Sequence, residues 1–154
     1  NIADAAQAEQ AAQWFHYGPR GHRGEAQSVI RAADWGRNAA GYSGGVELII
    51  QIEHKIALSQ AAEIAAIDGV HMLFLGPSDF AAASGLAKDA PEVLDAARHV
   101  AQAANAQGKR SGSVLFPGGT VETLHSAGVT DISITSDVAT LVQSLDATLA
   151  TVKG

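Results

Sequence analysis

The stretch Leu48-Ile-Ile-Gln-Ile-Glu53 decides the fold class, together with Leu73-Phe-Leu-Gly-Pro-Ser-Asp79 further along the chain. Each is a run of apolar residues that leads to a carboxylate, and such a run is typical of a strand buried on both faces in a parallel sheet. Residues 56–67 between them carry apolar side chains at helical spacing. The three segments therefore predict one strand-helix-strand unit with two parallel strands.

The two carboxylates are the first candidates for function. Parallel strands would bring Glu53 and Asp79 to the same carboxyl end of the sheet, where α/β proteins bind their ligands. Neither segment contains a basic residue to neutralise them, so the pair suggests a site for a hard divalent cation. The alternative is that each acid only stabilises the amino end of a following helix. Gln51, two residues before Glu53, should face the same site.

Upstream of this unit the sequence predicts helices and loops but no strand. Asp4 to Phe15 is rich in alanine and glutamine and predicts a helix, and residues 17–24 form a loop with three glycines and a proline. Ala26 to Trp35 predicts a second helix, and Arg37 to Gly45 a polar, glycine-rich connection. In the loop, Arg20 and Arg23 either stabilise the loop itself or reach the site of a neighbouring subunit.

Downstream, strands and helices keep alternating. The predicted elements are a short helical turn from Phe80, a helix from Pro91 to Gly108, a strand over 110–115, a helix from Thr120 to Ala127, a strand over 129–134 and a last helix from Ser136. Four strands alternating with helices amount to half of a (β/α)8 barrel or to a small open sheet. Because the chain starts on a helix, we expect the C-terminal portion of a longer protein, with residues 1–154 forming a single domain.

Composition excludes several classes of protein. The 154 residues contain no cysteine, which excludes a disulfide framework and a zinc-thiolate site. The formal charge is -6 and no cluster of Lys and Arg is present, so a nucleic-acid partner is not expected. No apolar run approaches the roughly 18 residues of a membrane helix, and the first residues do not resemble a signal peptide. We therefore expect a cytoplasmic protein without a membrane partner.

Eight short motifs, taken together, are similar to those of a known family. They are Tyr17-Gly-Pro-Arg-Gly-His-Arg-Gly24, Arg31-Ala-Ala-Asp-Trp-Gly36, Gln51-Ile-Glu53, Asp68-Gly-Val70, Gly76-Pro-Ser-Asp79, Pro91-Glu-Val93, Gly108-Lys109 and Ser136-Asp137. Their order and spacing resemble the C-terminal three fifths of the HpcH/HpaI aldolase family, the class II, metal-dependent pyruvate aldolases. The resemblance implies strands 5–8, with their helices, of a (β/α)8 barrel of the phosphoenolpyruvate/pyruvate type.

The resemblance also implies a site. Glu53 and Asp79 match the two carboxylates that hold a divalent metal (Mg, Mn or Co) in the family, and pyruvate chelates that metal. The substrate-binding residues would be Gln51 together with Gly76, Pro77 and Ser78. Since Pro77 has no N–H, Ser78 and Asp79 are the amides available to the pyruvate carboxylate. The family's catalytic His-Asp pair and substrate-orienting Arg lie on the first half of the barrel, so no catalytic residue is assigned on this chain, and His22 does not take that role.

The function that the resemblance implies is cleavage of a 4-hydroxy-2-oxo acid to pyruvate and an aldehyde, as in the catabolism of aromatic compounds. Its partners would be the N-terminal half of the barrel, from the same or another chain, and further copies of the protein, since family members form hexamers as trimers of dimers. Two alternatives remain open. One is a carbon-carbon lyase acting on acyl-CoA esters, similar to the citrate lyase β subunit, and the other is a non-catalytic half-barrel that serves as a binding module. A half-barrel exposes two strand edges, so we do not expect a stable lone monomer.

Overall fold

The computed structural model describes residues 2–38 and 46–153. Helices and strands alternate along it: α1 Ala5–Phe15, β1 Leu48–Ile52, α2 Lys55–Ser59, α3 Ala61–Ala66, β2 Val70–Leu75, α4 Pro77–Ser84, α5 Pro91–Ala106, β3 Arg110–Val114, α6 Val121–Ser126, β4 Asp131–Ser133 and α7 Asp137–Lys153. The alternation that the sequence predicts from β1 onward is confirmed. Residues 39–45 of the predicted polar connection lie outside the described residues.

The four strands form one parallel sheet with the order β1-β2-β3-β4. Every strand therefore pairs with its neighbour along the chain, as in a barrel, where each βα unit adds one strand beside the last. The pairing of Gln51 with Phe74 and of Ile52 with Leu75 aligns the carboxyl ends of β1 and β2. This register brings the segments that follow the two strands to the same edge of the sheet.

The helices cover one face of this sheet. Ile50 and Ile52 of β1 and Leu73 and Leu75 of β2 are buried on that face, and they belong to one core cluster with the alanine-rich side of α5. Small side chains on α5 allow the helix to approach the sheet closely, which suits a core with few aromatic residues. Within the described residues, no helix combines the length and the apolar character needed to cross a membrane.

The other face of the sheet is open and concave. The side chain of Ile49 is 48% exposed and Gln51 is also exposed, whereas their neighbours along β1 are buried. A cleft of about 390 Å³ runs along this face. At its amino end, the Arg110 guanidinium bridges the carboxylates of Glu47 and Asp131. The open cleft is the surface that faces the interior of a closed barrel.

Two predicted helices differ from the observed structure. Residues 26–35 do not form an α-helix but two short 3₁₀ turns, Gln27–Val29 and Arg31–Gly36, because Asp34 and Trp35 adopt left-handed backbone angles (φ 47° and 51°) that an α-helix cannot contain. The helix predicted over 56–67 is interrupted at Gln60, whose side-chain oxygen accepts a hydrogen bond of 2.8 Å from the backbone of Ala5. That long-range contact ties α1 to the break between α2 and α3.

The last helix forms as predicted, but its apolar stripe has no partner within the described residues. Ser136 lies before its first turn and accepts a hydrogen bond of 3.1 Å from the backbone of Ala139. The stripe comprises Val138, Leu141, Val142, Leu145, Leu149 and Val152, each at least 50% exposed. An apolar face of this size marks a surface that packs against another element or chain.

Candidate active site at the carboxyl end of the sheet

Glu53 follows the last residue of β1 and is only 5% exposed. Alternation along the strand places its side chain with that of Gln51, on the open face of the sheet. Within residues 2–38 and 46–153, the Glu53 carboxylate accepts no hydrogen bond and forms no ion pair. The residue is nearly enclosed, but its carboxylate oxygens are not among the fully buried polar atoms of the described residues. They remain available to a cation, and carboxylate oxygens are the ligands that hard divalent cations prefer.

Gly76 is the residue against which this carboxylate lies. A Cβ atom built on Gly76 would stand 2.5 Å from Oε1 and 2.8 Å from Cγ of Glu53, and 3.1 Å from Nε2 of Gln51. The backbone angles of Gly76 (φ -92°, ψ 89°) are open to other residues, so space rather than conformation requires glycine here. The side chains of Gln51 and Glu53 and the Gly76 backbone thus meet at one point.

Pro77, Ser78 and Asp79 form the first turn of α4, directly after Gly76. The sequence suggested that Asp79 lies at the end of a strand, but β2 ends at Leu75 and Asp79 is the third residue of the helix. First-turn N–H groups have no acceptor inside their own helix, and the helix dipole favours negative charge there. Pro77 is suited to this position because it has no N–H to satisfy. The amides of Ser78 and Asp79 are therefore placed to bind an anion.

Both predicted metal ligands keep their oxygens free of protein partners. Asp79 is exposed and, like Glu53, accepts no hydrogen bond and forms no ion pair in the described part of the chain. No group of three His, Cys, Asp or Glu side chains among the described residues could hold a metal by itself. A magnesium-like ion requires no such cage, because it keeps several waters and is bound by one or two carboxylates plus an oxygen-rich substrate. Glu53 and Asp79 supply the two carboxylates that such an ion would use.

Two histidines, His54 and His71, lie near these strands. His54 precedes α2, and its side chain caps no backbone amide of that helix. His71 is the second residue of β2, at the opposite end of the strand, and its Nδ1 atom accepts a hydrogen bond of 3.0 Å from the backbone N–H of Leu48. His71 is therefore not a base for chemistry at Glu53 and Gly76.

Lysines of the described residues also lie off the strands. Lys55 begins α2 and donates to the carbonyl of Ser84, and Lys88 lies in the turn before α5. Lys109 precedes β3 and donates to the carbonyl of Ile67, and its partial burial lowers the pKa of its ammonium group. None of these ammonium groups projects from the middle of a strand, where a Schiff-base lysine would be expected.

The glycine-rich loop predicted over 17–24 folds back on the end of α1. Arg20 forms an ion pair of 2.7 Å with Asp68, and this guanidinium lowers the pKa of the exposed Asp68 carboxyl through its hydrogen bond and its charge. The Arg23 guanidinium lies 4.7 Å from the centre of the Tyr17 ring. Both arginines thus contribute to the loop structure, which is one of the two roles that the sequence left open.

The sequence of this chain is similar to those of a known protein family and its members. The model of the HpcH/HpaI aldolase/citrate lyase family matches residues 1–144. A 2-keto-3-deoxy-L-rhamnonate aldolase of Salmonella paratyphi B is 30% identical over 99% of this chain, which spans 59% of that relative's length. The same aldolase of Salmonella newport matches equally well.

Solved structures agree on the fold. A HpcH/HpaI aldolase/citrate lyase family protein from Burkholderia cenocepacia superposes on the whole chain with a TM-score of 0.86 and 28% identity, and the match covers 63% of that protein. A HpcH/HpaI aldolase from Desulfitobacterium hafniense superposes with a TM-score of 0.80 at 22% identity and is covered to 61%. The parallel sheet thus corresponds to part of the barrel of these proteins. The chain belongs to the HpcH/HpaI aldolase/citrate lyase family.

Proposed function

We propose that this chain supplies the metal-binding part of a pyruvate aldolase, which cleaves 4-hydroxy-2-oxo acids to pyruvate and an aldehyde. The observation that carries the proposal is the geometry of Glu53, a residue only 5% exposed whose carboxylate has no partner among the described residues and lies against Gly76. Glu53 and Asp79 would hold a Mg, Mn or Co ion. When bound, the metal acts as a Lewis acid that stabilises the negative charge developing on the keto oxygen of pyruvate.

The remaining residues of the site position the substrate. The N–H groups of Ser78 and Asp79 would bind the pyruvate carboxylate at the amino end of α4. Gln51 lies beside Glu53 at Gly76, and its side-chain amide can donate a hydrogen bond to a substrate oxygen. Pro77 limits the freedom of the turn that presents these amides. Holding the reacting carbon in one orientation is itself a large part of catalysis.

Proton transfer would require groups from outside this site. His71 is bonded to the backbone of Leu48, and Lys55 and Lys109 donate to the backbone carbonyls of Ser84 and Ile67, so we assign none of these three residues as the base. We propose that the base and an arginine for the substrate come from further strands that close the barrel, in the same polypeptide or in another. The metal-binding and proton-transfer parts of the site would then meet across the open cleft.

The test is enolisation of pyruvate by the protein that carries this chain. We expect the methyl hydrogens of pyruvate to exchange with D2O in the presence of Mg, Mn or Co, as measured by loss of the methyl proton signal in NMR. A chelator should stop the exchange. Exchange that is absent with all three metals, or that persists in the chelator, would contradict the proposal.

The two other candidate functions give different results in the same experiment. A lyase for acyl-CoA esters would cleave an acyl-CoA substrate and leave pyruvate unexchanged; the family includes citrate lyase beside aldolase in its name. A non-catalytic binding module would retain the metal but exchange nothing. Metal binding without pyruvate exchange would therefore support one of these two alternatives. A test for acyl-CoA cleavage would decide between them.

The open cleft also supports a proposal about assembly. Ile49 is half exposed on the open face, and within the described residues the edge of β1 is paired only by a single bridge between Ile2 and Ile52, while β4 forms the other edge. Strand edges and apolar faces of this kind invite pairing with further strands. We expect the 154-residue chain, expressed alone, to sediment as a larger species or to aggregate. A well-folded monomer of 15.8 kDa would refute this expectation.

A further inference from the structure

A second cavity, of about 410 Å³, lies at the amino end of the sheet and is lined chiefly by nitrogen-bearing and aromatic side chains. The polar side chains that line it are His16, Tyr17, Arg20, Arg23 and His71. His71 stands at the start of β2, whereas Gly76 follows the end of that strand. At about 3.3 Å per strand residue, the two sites lie on the order of 16 Å apart. The cavity therefore does not belong to the aldolase site proposed above.

Backbone hydrogen bonds hold the loop of this cavity in place. The N–H of His22 donates to the carbonyl of Gln13 at 2.7 Å, and the N–H of Arg23 donates to the carbonyl of His16 at 2.9 Å. Gly21 packs so tightly against α1 that a Cβ atom there would stand 2.3 Å from two backbone oxygens. These bonds also occupy carbonyls at the carboxyl end of α1, which would otherwise repel an anion. The cationic side chains are thus presented by a preformed loop.

The charge of the cavity is positive and only partly compensated. Arg20 is paired with Asp68, but Asp68 does not line this cavity, and neither does any other acidic residue of the described chain. The Arg23 guanidinium lies over the Tyr17 ring and has no ion pair within the described residues. Stacking on an aromatic face leaves the edge of a guanidinium free to donate hydrogen bonds. The Arg23 guanidinium is therefore available to a ligand, whereas the Arg20 guanidinium would be shared between a ligand and Asp68.

One of the two histidines adds hydrogen-bonding capacity. Because Nδ1 of His71 accepts the Leu48 N–H, the hydrogen of the neutral ring must be on Nε2, which makes that nitrogen a donor. Nε2 of His16 is instead buried against Gly69, where a Cβ atom would stand 2.0 Å from it. His16 therefore shapes the wall of the cavity, and we assign it no contact with a ligand.

We propose that this cavity binds a phosphate group, either as inorganic phosphate or as part of a phosphorylated metabolite. Arginine side chains match phosphate oxygens with paired, charge-assisted hydrogen bonds. Arg23 would supply the principal contact, Arg20 a second, and His71 a neutral donor. The proposal does not depend on the aldolase function, since its residues are separate from those at the carboxyl end of the sheet.

The first experiment titrates the protein with inorganic phosphate and, separately, with glycerol 3-phosphate, by calorimetry. We expect saturable binding of at least one of them; tighter binding of glycerol 3-phosphate would indicate that a phosphorylated metabolite is the ligand. Arg23→Gln should weaken binding about tenfold or more, as expected for the loss of a charge-assisted pair. Arg37→Gln is the matched control, because Arg37 is exposed, pairs with Asp34 and does not line the cavity. Glu53→Gln should also leave phosphate binding unchanged.

A second variant distinguishes the loss of a phosphate contact from a general loss of folding. Asp68→Asn removes the carboxylate that competes for Arg20, so it should tighten phosphate binding several-fold. A variant that merely damages the loop could only weaken binding. The absence of saturable binding to the unmodified protein, or binding that Arg23→Gln and Asp68→Asn leave unchanged, would overturn the proposal.

Discussion

Replacing Glu53 with glutamine is expected to remove divalent-metal binding while leaving the fold intact. Mutation of residues that only support a metal ligand already costs about 10–100-fold in affinity, so loss of a carboxylate ligand should cost at least about 100-fold. Glutamine has nearly the same shape but cannot supply the charge. The measurement is the dissociation constant of Mn²⁺, followed by electron paramagnetic resonance of the free ion.

A second readout distinguishes a ligand from a structural residue. Glu53 is buried without a partner among the described residues, so neutralising it should not harm the metal-free protein. We expect the free energy of unfolding of that form to change by no more than about 0.5 kcal/mol, because no protein contact of the carboxylate is lost. Glu63→Gln, at an exposed position of α3, is the matched control and should change neither quantity. Unchanged Mn²⁺ affinity in Glu53→Gln would remove the residue from the ligand set.

Replacing Gly76 with alanine is expected to damage the site through space alone. The new methyl group would stand 2.5 Å from Oε1 and 2.8 Å from Cγ of Glu53, and it would push that side chain away from its place. Since a displacement of about 1 Å can cost about 100-fold in rate, we expect pyruvate exchange to fall by about that factor. Overpacking of this kind typically costs about 1–3 kcal/mol of stability, so the protein should remain folded.

Gly24→Ala provides the control for Gly76→Ala. Apart from its two chain neighbours, no described residue has an atom within 4 Å of the position that a Cβ would take on Gly24, so this substitution introduces the same methyl group without a clash against the described structure. Pyruvate exchange and Mn²⁺ affinity should be unchanged in Gly24→Ala and reduced in Gly76→Ala. If both variants behave like the unmodified protein, the contact between Gly76 and Glu53 has no functional importance.

The parallel sheet could be predicted from sequence because local patterns determine it. The apolar run that ends in Gln51-Ile-Glu53 correctly predicted both the strand and the face on which Gln51 lies. The prediction that Ser136 and Thr120 cap helices is also confirmed. The position of Asp79 within α4 was harder to predict from sequence, since a Gly-Pro step can end a strand or begin a helix.

Other features depend on contacts between distant residues, which one sequence does not reveal. Gln60, at the break between α2 and α3, accepts a hydrogen bond from the distant Ala5 backbone, and His71 of β2 accepts one from Leu48 of β1. Asp34 and Trp35 adopt left-handed backbone angles, so residues 26–35 do not form the α-helix that their composition predicts. Glycine at position 76 was predicted for substrate binding, but its steric role became apparent only when the Glu53 side chain was placed beside it.

The order of the strands has a consequence for how this chain folds. Leu48 pairs with Val70, Met72 with Arg110 and Gly112 with Asp131, so each pairing closes only the loop that contains the intervening helices. The entropy lost on closing a loop grows with its length, and chains with local pairings fold faster than those with distant ones. Each βα unit can therefore form on the edge left by the preceding unit. A barrel assembled in this order would pair its first and last strands only at the end of folding.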